Sequence, residues 1–262
     1  MLSTYFLPFF VKKNELVRIG PNEDGGYIVH KSILKFTDLI ISCGLNDDWR
    51  FEKDFQIKNK RCTVVGYDHT VNFKFWVIYS LKSFYHLLIF KKLRLSKVLD
   101  FLKFFEYRKF FSHPNHHFKI KIGTKNNNRE ITISSILEKY KNYKKIILKI
   151  DIEGDEYRIL NDIKKNEKLI NCLLIEFHNV TKKFKTIENF IKRNNFLKLI
   201  HIHGNNYGQF VNNMPEFLEM TFVNKNFVNI SKKLTNNKYP IKFLDYPNLK
   251  RREDLSLKFN EK

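Results

Sequence analysis

From residue 38 onward the chain alternates short apolar runs with stretches whose apolar positions recur at helical spacing, the pattern of a mainly parallel α/β sheet. Five apolar runs read as strands: 38–44, 62–68, 118–122, 145–151 and 172–178. The third alternates apolar and polar residues like a strand with one wet face. The fourth, with Ile146, Ile147 and Leu148 in succession, is the continuous run expected of a strand covered on both faces. Helical stretches fall at 51–58, 133–139 and 186–194, and two more strand candidates follow at 196–203 and 216–223, joined by a polar, Asn-rich loop. The pattern predicts seven strands, the last two closing as an antiparallel pair. Before them, 17–20 and 25–29 flank the turn 21–24 and predict a hairpin.

Residues 72–112 stand outside this rhythm. They carry nine Lys/Arg against two Asp/Glu, interleaved with Phe75, Trp76, Tyr85, Phe104 and Phe105. Leu81, Tyr85 and Leu88 fall at helical spacing, so the stretch predicts a pair of amphipathic helices. They would form a cap on the domain or a lid that touches a lipid-linked or polyanionic substrate. The expected organisation is one domain over 1–262, with an N-terminal segment 1–37, a helical cap insertion 72–112 and a C-terminal tail 231–262.

Composition narrows the function classes. The chain has 262 residues, and 43% of them are hydrophobic, enough for a large core and against intrinsic disorder. Cys43, Cys62 and Cys172 form neither a disulfide framework nor a CxxC zinc pair, so buried thiols in a reducing compartment are expected. No apolar run reaches the roughly 18 residues of a membrane span. The N-terminus lacks a basic region and a small-residue cleavage site. A cytoplasmic protein follows, with peripheral contact at the inner membrane surface through 72–112. The net charge of +21 invites a polyanionic partner. However, Lys, Asn, Ile and Phe saturate the whole chain, as codon bias in an AT-rich genome would produce, and no RNA-recognition signature is present. Nucleic acid is therefore not the expected partner.

Chemistry in an open α/β sheet sits beyond the carboxyl ends of the strands. The first strand ends in Gly44, where a ligand can approach the backbone, followed by Asn46. The second ends in Asp68, where a carboxylate can accept both hydroxyls of a ribose or serve as a helix cap or turn residue. Together these predict an adenosine site. The fourth strand runs into Asp151 and Glu153, which a period of two puts on one face. The fifth ends in Glu176 and His178, and the next run ends in His201-Ile202-His203. Three adjacent strand ends thus offer carboxylates and imidazoles, suited either to a divalent cation (Fe2+, Mn2+ or Zn2+ over Mg2+) at Asp151, Glu176, His178 and His203 or to carboxylates that hydrogen-bond cofactor and backbone beside histidines with protein partners. The competing use is a general base for a hydroxyl, with Asp151, Glu153, His178 and His203 as the catalytic candidates.

The segment Lys149-Ile150-Asp151-Ile152-Glu153-Gly154-Asp155-Glu156 resembles the KIDIEGxE signature of FkbM-type S-adenosylmethionine-dependent methyltransferases. The run from Arg18 through Asp24, Gly25, Gly26 and Tyr27 resembles the RxGxxxDGGY segment of one branch, and Gly44 followed by Phe51-Glu52 is similar to the loop after its first strand. Leu174-Ile175-Glu176-Phe177-His178 is similar to the family's fifth strand. The resemblance covers roughly 17–68 and 118–223. It implies a class I, Rossmann-like methyltransferase fold, S-adenosylmethionine as cofactor, and methyl transfer to an oxygen, often of a sugar in a glycan. It also implies that Asp24, Gly26, Gly44, Asn46, Asp68 and Asp151 bind the cofactor, while Glu153, Glu176, His178 and His203 face the acceptor. Related sugar and catechol enzymes use a divalent cation at the ends of strands four and five. The glycine-rich turn after strand one is thinner here than in the family. The expected partner is a small-molecule or glycan acceptor, with an anionic or nucleotide-linked form matching the charge. The alternatives are an RNA methyltransferase and a non-catalytic anion- or membrane-surface-binding module on the same fold. The sequence leaves the oligomeric state open.

Overall fold

A computed structural model describes residues 1–89, 95–211 and 214–260, and the side chains of all of these but 86–89 and 95–101. The N-terminal hairpin consists of β1 (Leu16–Ile19) and β2 (Tyr27–His30), followed by α1 (Lys31–Phe36). Next come β3 (Leu39–Cys43), α2 (Arg50–Lys58) and β4 (Thr63–Tyr67). The insertion folds as α3 (Phe73–Ile89) and α4 (Leu95–Phe110). The chain then forms β5 (His116–Phe118), β6 (Lys121–Ile122), β7 (Glu130–Ile131) and α5 (Ile133–Lys139). After these come β8 (Ile146–Ile150), α6 (Glu156–Lys165), β9 (Ile170–Phe177) and α7 (Val180–Arg193). The last elements are β10 (Leu197–Gly204), β11 (Phe210–Val211), β12 (Met214–Pro215) and β13 (Leu218–Asn224).

Seven strands make one sheet in the order β10-β13-β9-β8-β3-β4-β5. The pairs β4/β5, β3/β4, β3/β8 and β8/β9 are parallel, and β13 runs antiparallel to both β9 and β10. This is the α/β class I methyltransferase sheet. Its chain order reverses between β3 and β8, which opens the crevice where such sheets bind ligands. Central strands β3, β8 and β9 are buried throughout, as their unbroken apolar runs require. No described helix is long and apolar enough to cross a membrane.

Two expectations change. The run 118–122 is not one strand. Phe118 ends β5, stacked on Tyr67 with ring centroids 5.1 Å apart, and its carbonyl accepts the Asp68 amide. Lys121 and Ile122 turn away to pair with Glu130 and Ile131. The second change is at α7, which starts at Val180 rather than 186. Its first turn is buried at Val180, while the Lys182–Lys183 pair hides that signal in the sequence.

The 72–112 helices close on a small aromatic core of their own, in which Trp76 and Trp49 are buried against Phe104, Tyr107 and Phe111. The C-terminal segment beyond 230 lies along the sheet edge, touching the N-terminus through bridges Leu2–Phe259 and Phe9–Leu234. It re-enters near the strand ends at 248–251.

Candidate active site

At the end of β3 the chain turns at Gly44, with φ +82°. A Cβ there would lie 1.6 Å from the Asp151 carbonyl oxygen, so the loops after β3 and β8 touch backbone to backbone and only glycine fits. Asn46 also adopts a left-handed conformation, φ +47°. The amides of Leu45 and Asn46 both donate to Asp68 Oδ2 at 2.9 Å, and Thr70 donates its amide and hydroxyl to Oδ1 at 2.7 and 2.6 Å. Burial opposes the Asp68 charge, but the Thr70, Asn46 and Leu45 hydrogen bonds hold its carboxyl below the usual range. Thus Asp68, expected to receive a ribose, binds its own chain through both oxygens and fixes the shape of the loop after β3.

Beyond β8 the backbone leaves the strand at Asp151, then passes through left-handed Glu153 (φ +54°) and Gly154 (φ +103°). The strand's period of two therefore does not extend to Glu153; the turn, not the pleat, brings it beside Asp151. His178, just past β9, completes the group. The ligand atoms of Asp151, Glu153 and His178 lie within 4.8 Å of one another. Its Nε2 is 3.5 Å from Glu153 Oε2, 3.9 Å from Asp151 Oδ1 and 4.0 Å from Glu176 Oε1. On its other side, Nδ1 is hydrogen-bonded to Glu156 Oε1. Glu156 is fully buried at the first position of α6, where the helix N-terminus favours a negative charge. The charge pattern is consistent. Burial pushes the Asp151 carboxyl up to about 6, although Lys149 and His178 pull the other way. Burial and the neighbouring Asp151 raise Glu176 well above the carboxylate range. For His178 burial opposes the charge, but the Glu156 hydrogen bond and the nearby carboxylates raise its pKa overall.

Two expected site residues lie apart from this group. His203 is held at both ring nitrogens, by Glu219 at 3.0 Å and Asp254 at 2.9 Å, and is buried among them. No nitrogen remains to bind a metal or to move a proton at the cleft, so the imidazole anchors the C-terminal segment to β10 and β13. Gly26 serves the hairpin. A Cβ there would meet the Pro21 carbonyl at 2.2 Å and the Arg18 guanidinium at 2.6 Å, and that guanidinium ties the turn by donating to the Pro21 and Glu23 carbonyls. Asp24, by contrast, lines the cleft, raised by burial and hydrogen-bonded by Asn248 at 3.0 Å.

The cleft between these loops has a volume of about 950 Å³. It is lined by Gly44 to Asn46, Asp68 and Asp151, by Phe75 and Lys103 of the helical cap, and by Tyr207 and Asn248. Sequence reasoning passed over several of these groups. Lys149 is a lysine in the middle of a buried strand, 3.3 Å from buried Glu52, and its anomaly was visible in the run Leu148-Lys149-Ile150. Glu156 closes the KIDIEGxE-like segment, and its contact with His178 arises only when α6 and β9 pack together. Asn248, which donates to Glu219 at 2.5 Å as well as to Asp24, carried no local signal, because tertiary folding alone brings it to the cleft.

The model of the methyltransferase FkbM domain family matches residues 32–198, well over half of the chain. The protein belongs to the FkbM methyltransferase family. It is an S-adenosylmethionine-dependent methyltransferase on that ground. A search of curated proteins finds no match. Among solved structures, fibrillarin in a fibrillarin/Nop5p complex shares 9% identity over 72% of this chain and 73% of that one, with a TM-score of 0.34. The Methanococcus jannaschii fibrillarin, a pre-rRNA processing protein, shares 8% over 73% and 68%, with a TM-score of 0.36. Precorrin-6y C5,15-methyltransferase from Geobacter metallireducens shares 9% over 73% and 83%, with a TM-score of 0.34.

The cleft of this FkbM protein fits the family's cofactor. Its volume is that of a small-molecule site. Two carboxyls on its wall, Asp24 and Asp151, are pushed up by burial and would be relieved by a cationic ligand such as a sulfonium or an ammonium group.

Proposed function

We propose that this FkbM methyltransferase modifies a sugar hydroxyl in glycan biosynthesis, an O-methylation assisted by a divalent cation at Asp151, Glu153 and His178. The observation that carries the metal is the convergence of two carboxylates and an imidazole nitrogen within 4.8 Å at the cleft, with Glu156 behind the imidazole. A carboxylate on the far nitrogen of a metal-ligating histidine fixes the tautomer and raises ligand basicity. The mixed donor set suits Mn2+ or Fe2+ over Mg2+. The cation would lower the pKa of an acceptor hydroxyl, and the cofactor would supply an electrophilic methyl group. The chain's own residues bind and orient. Asp24 and Asp151 offer negative charge to the cofactor. The loop held by Asp68 shapes its seat. His178, oriented by Glu156, would hold the cation through Nε2, and Glu153, the more exposed of the two carboxylates, would take the hydroxyl proton on its remaining oxygen. The resemblance supports oxygen as the accepting atom and a sugar as its carrier. A cytoplasmic setting belongs to the same proposal, supported by three buried thiols that form no disulfide.

The test is labelled methyl transfer to a panel of sugar nucleotides and oligosaccharides, with RNA alongside, before and after chelation. Sugar methylation that falls on chelation, returns with Mn2+ and disappears in Asp151→Ala is expected. Methylation of RNA alone, or full activity in Asp151→Ala, would overturn the proposal.

A further inference from the structure

α3 is apolar on two opposite faces, whereas a helix lying on a protein surface is ordinarily apolar on one. Its inner face buries Trp76 and part-buries Phe75 against the small aromatic core around Trp49. Its outer face carries Phe73, Val77, Ile78, Leu81 and Phe84, with 73%, 40%, 41%, 62% and 54% of their surfaces exposed. At 3.6 residues per turn these five fall within an arc of about 140°. Leu102 and Phe105 of α4 are exposed as well. Large apolar side chains grouped in this way on a water-facing surface mark a contact site.

The charge around the stripe identifies the occupant. Lys74 and Lys82 on α3, and Arg108 and Lys109 on α4, are exposed around these apolar residues, and the whole insertion has nine Lys/Arg against two Asp/Glu. A second copy of a chain bearing a net charge of +21 would bring like charge against like. An anionic bilayer surface offers both things the face lacks: an apolar layer for Phe and Leu, and headgroup charge for Lys and Arg. We propose that the outer face of α3 docks this protein on an anionic membrane surface, lying in the interface plane without crossing it. Phe75 of α3 and Lys103 of α4 line the cleft, so the helices that dock also form part of the cleft wall. The surface stands independently of which acceptor is methylated.

The experiment is co-sedimentation of the full-length protein with phosphatidylglycerol/phosphatidylcholine vesicles and with pure phosphatidylcholine vesicles. The variant is Leu81→Ser/Phe84→Ser, which removes apolar surface and leaves the charge unchanged. S-adenosylhomocysteine binding serves as the control for an intact fold, and sedimentation velocity reports self-association. The wild type is expected to bind the anionic vesicles and not the neutral ones, and the double variant to bind about tenfold or more weakly with unchanged S-adenosylhomocysteine binding. Three outcomes overturn the proposal: no anionic-vesicle binding, binding undiminished in the variant (adsorption by net charge alone), or a wild-type dimer that the variant dissolves. Since cofactor binding is read separately, failure of the docking surface is distinguishable from failure of the catalytic reading.

Discussion

Gly44 is where the loops after β3 and β8 meet, and its role was partly legible in the sequence. A glycine at a strand end suggests close approach, but the sequence pointed to a ligand and the structure places the Asp151 carbonyl there. Gly44→Ala must move that carbonyl and place alanine at positive φ, a combined cost of about 3 kcal/mol. A lowered melting temperature together with weakened S-adenosylhomocysteine binding is the expected result; a variant melting like the wild type would contradict the contact. Asp68 was legible as a strand-end carboxylate with a turn or ribose role, but its partners Leu45, Asn46 and Thr70 were not, because they depend on how the loop closes. Glu156 makes the sharpest residue-scale prediction. As a positioning residue behind His178, its replacement in Glu156→Gln is expected to lower metal affinity or turnover by about 10- to 100-fold. Metal titration and the split of kcat from KM check this, with cofactor affinity unchanged. Equal loss of cofactor binding would instead show a purely structural role.

At the scale of elements, β3, β4, β8 and β9 were readable because a strand buried on both faces leaves an unbroken apolar run that few other structures produce. The run 118–122 misled because alternation describes a half-exposed strand equally well whether it pairs with one neighbour or breaks between two. The convergence of Asp151 with Glu153 was expected for the wrong reason: the left-handed turn at Glu153–Gly154 does what pleating does not. Least readable was the C-terminal segment, whose anchors lie far away in the sequence. His203 holds it between Glu219 and Asp254, and although burial opposes its charge, those two hydrogen bonds push its pKa up to about 10. A histidine whose pKa is raised on folding contributes its full stability below the unfolded value of about 6.5, and that stability is lost as pH rises from there through the folded pKa. His203→Gln is therefore expected to be less stable than the wild type by about 3 kcal/mol near pH 6. The difference should shrink toward pH 10 in denaturant titrations. A pH-independent gap would place the histidine's contribution in packing rather than charge.

For the whole molecule, the sheet order, the cleft at its switch point and the family membership point to the same chemistry. The cleft itself mixes charges: Asp24, Asp151 and Glu153 line it, and so do Arg50, Lys103, Lys121, Lys149 and Lys250, so it offers carboxylates to a cationic cofactor and cations to an anionic acceptor. The most direct measurement is a calorimetric titration with S-adenosylhomocysteine before and after chelation, with the metal content of the same sample assayed. Micromolar binding, stoichiometric metal in the untreated protein, and loss of that metal in Asp151→Ala are the predicted results. An absence of S-adenosylhomocysteine binding in both states would contradict the account at its centre.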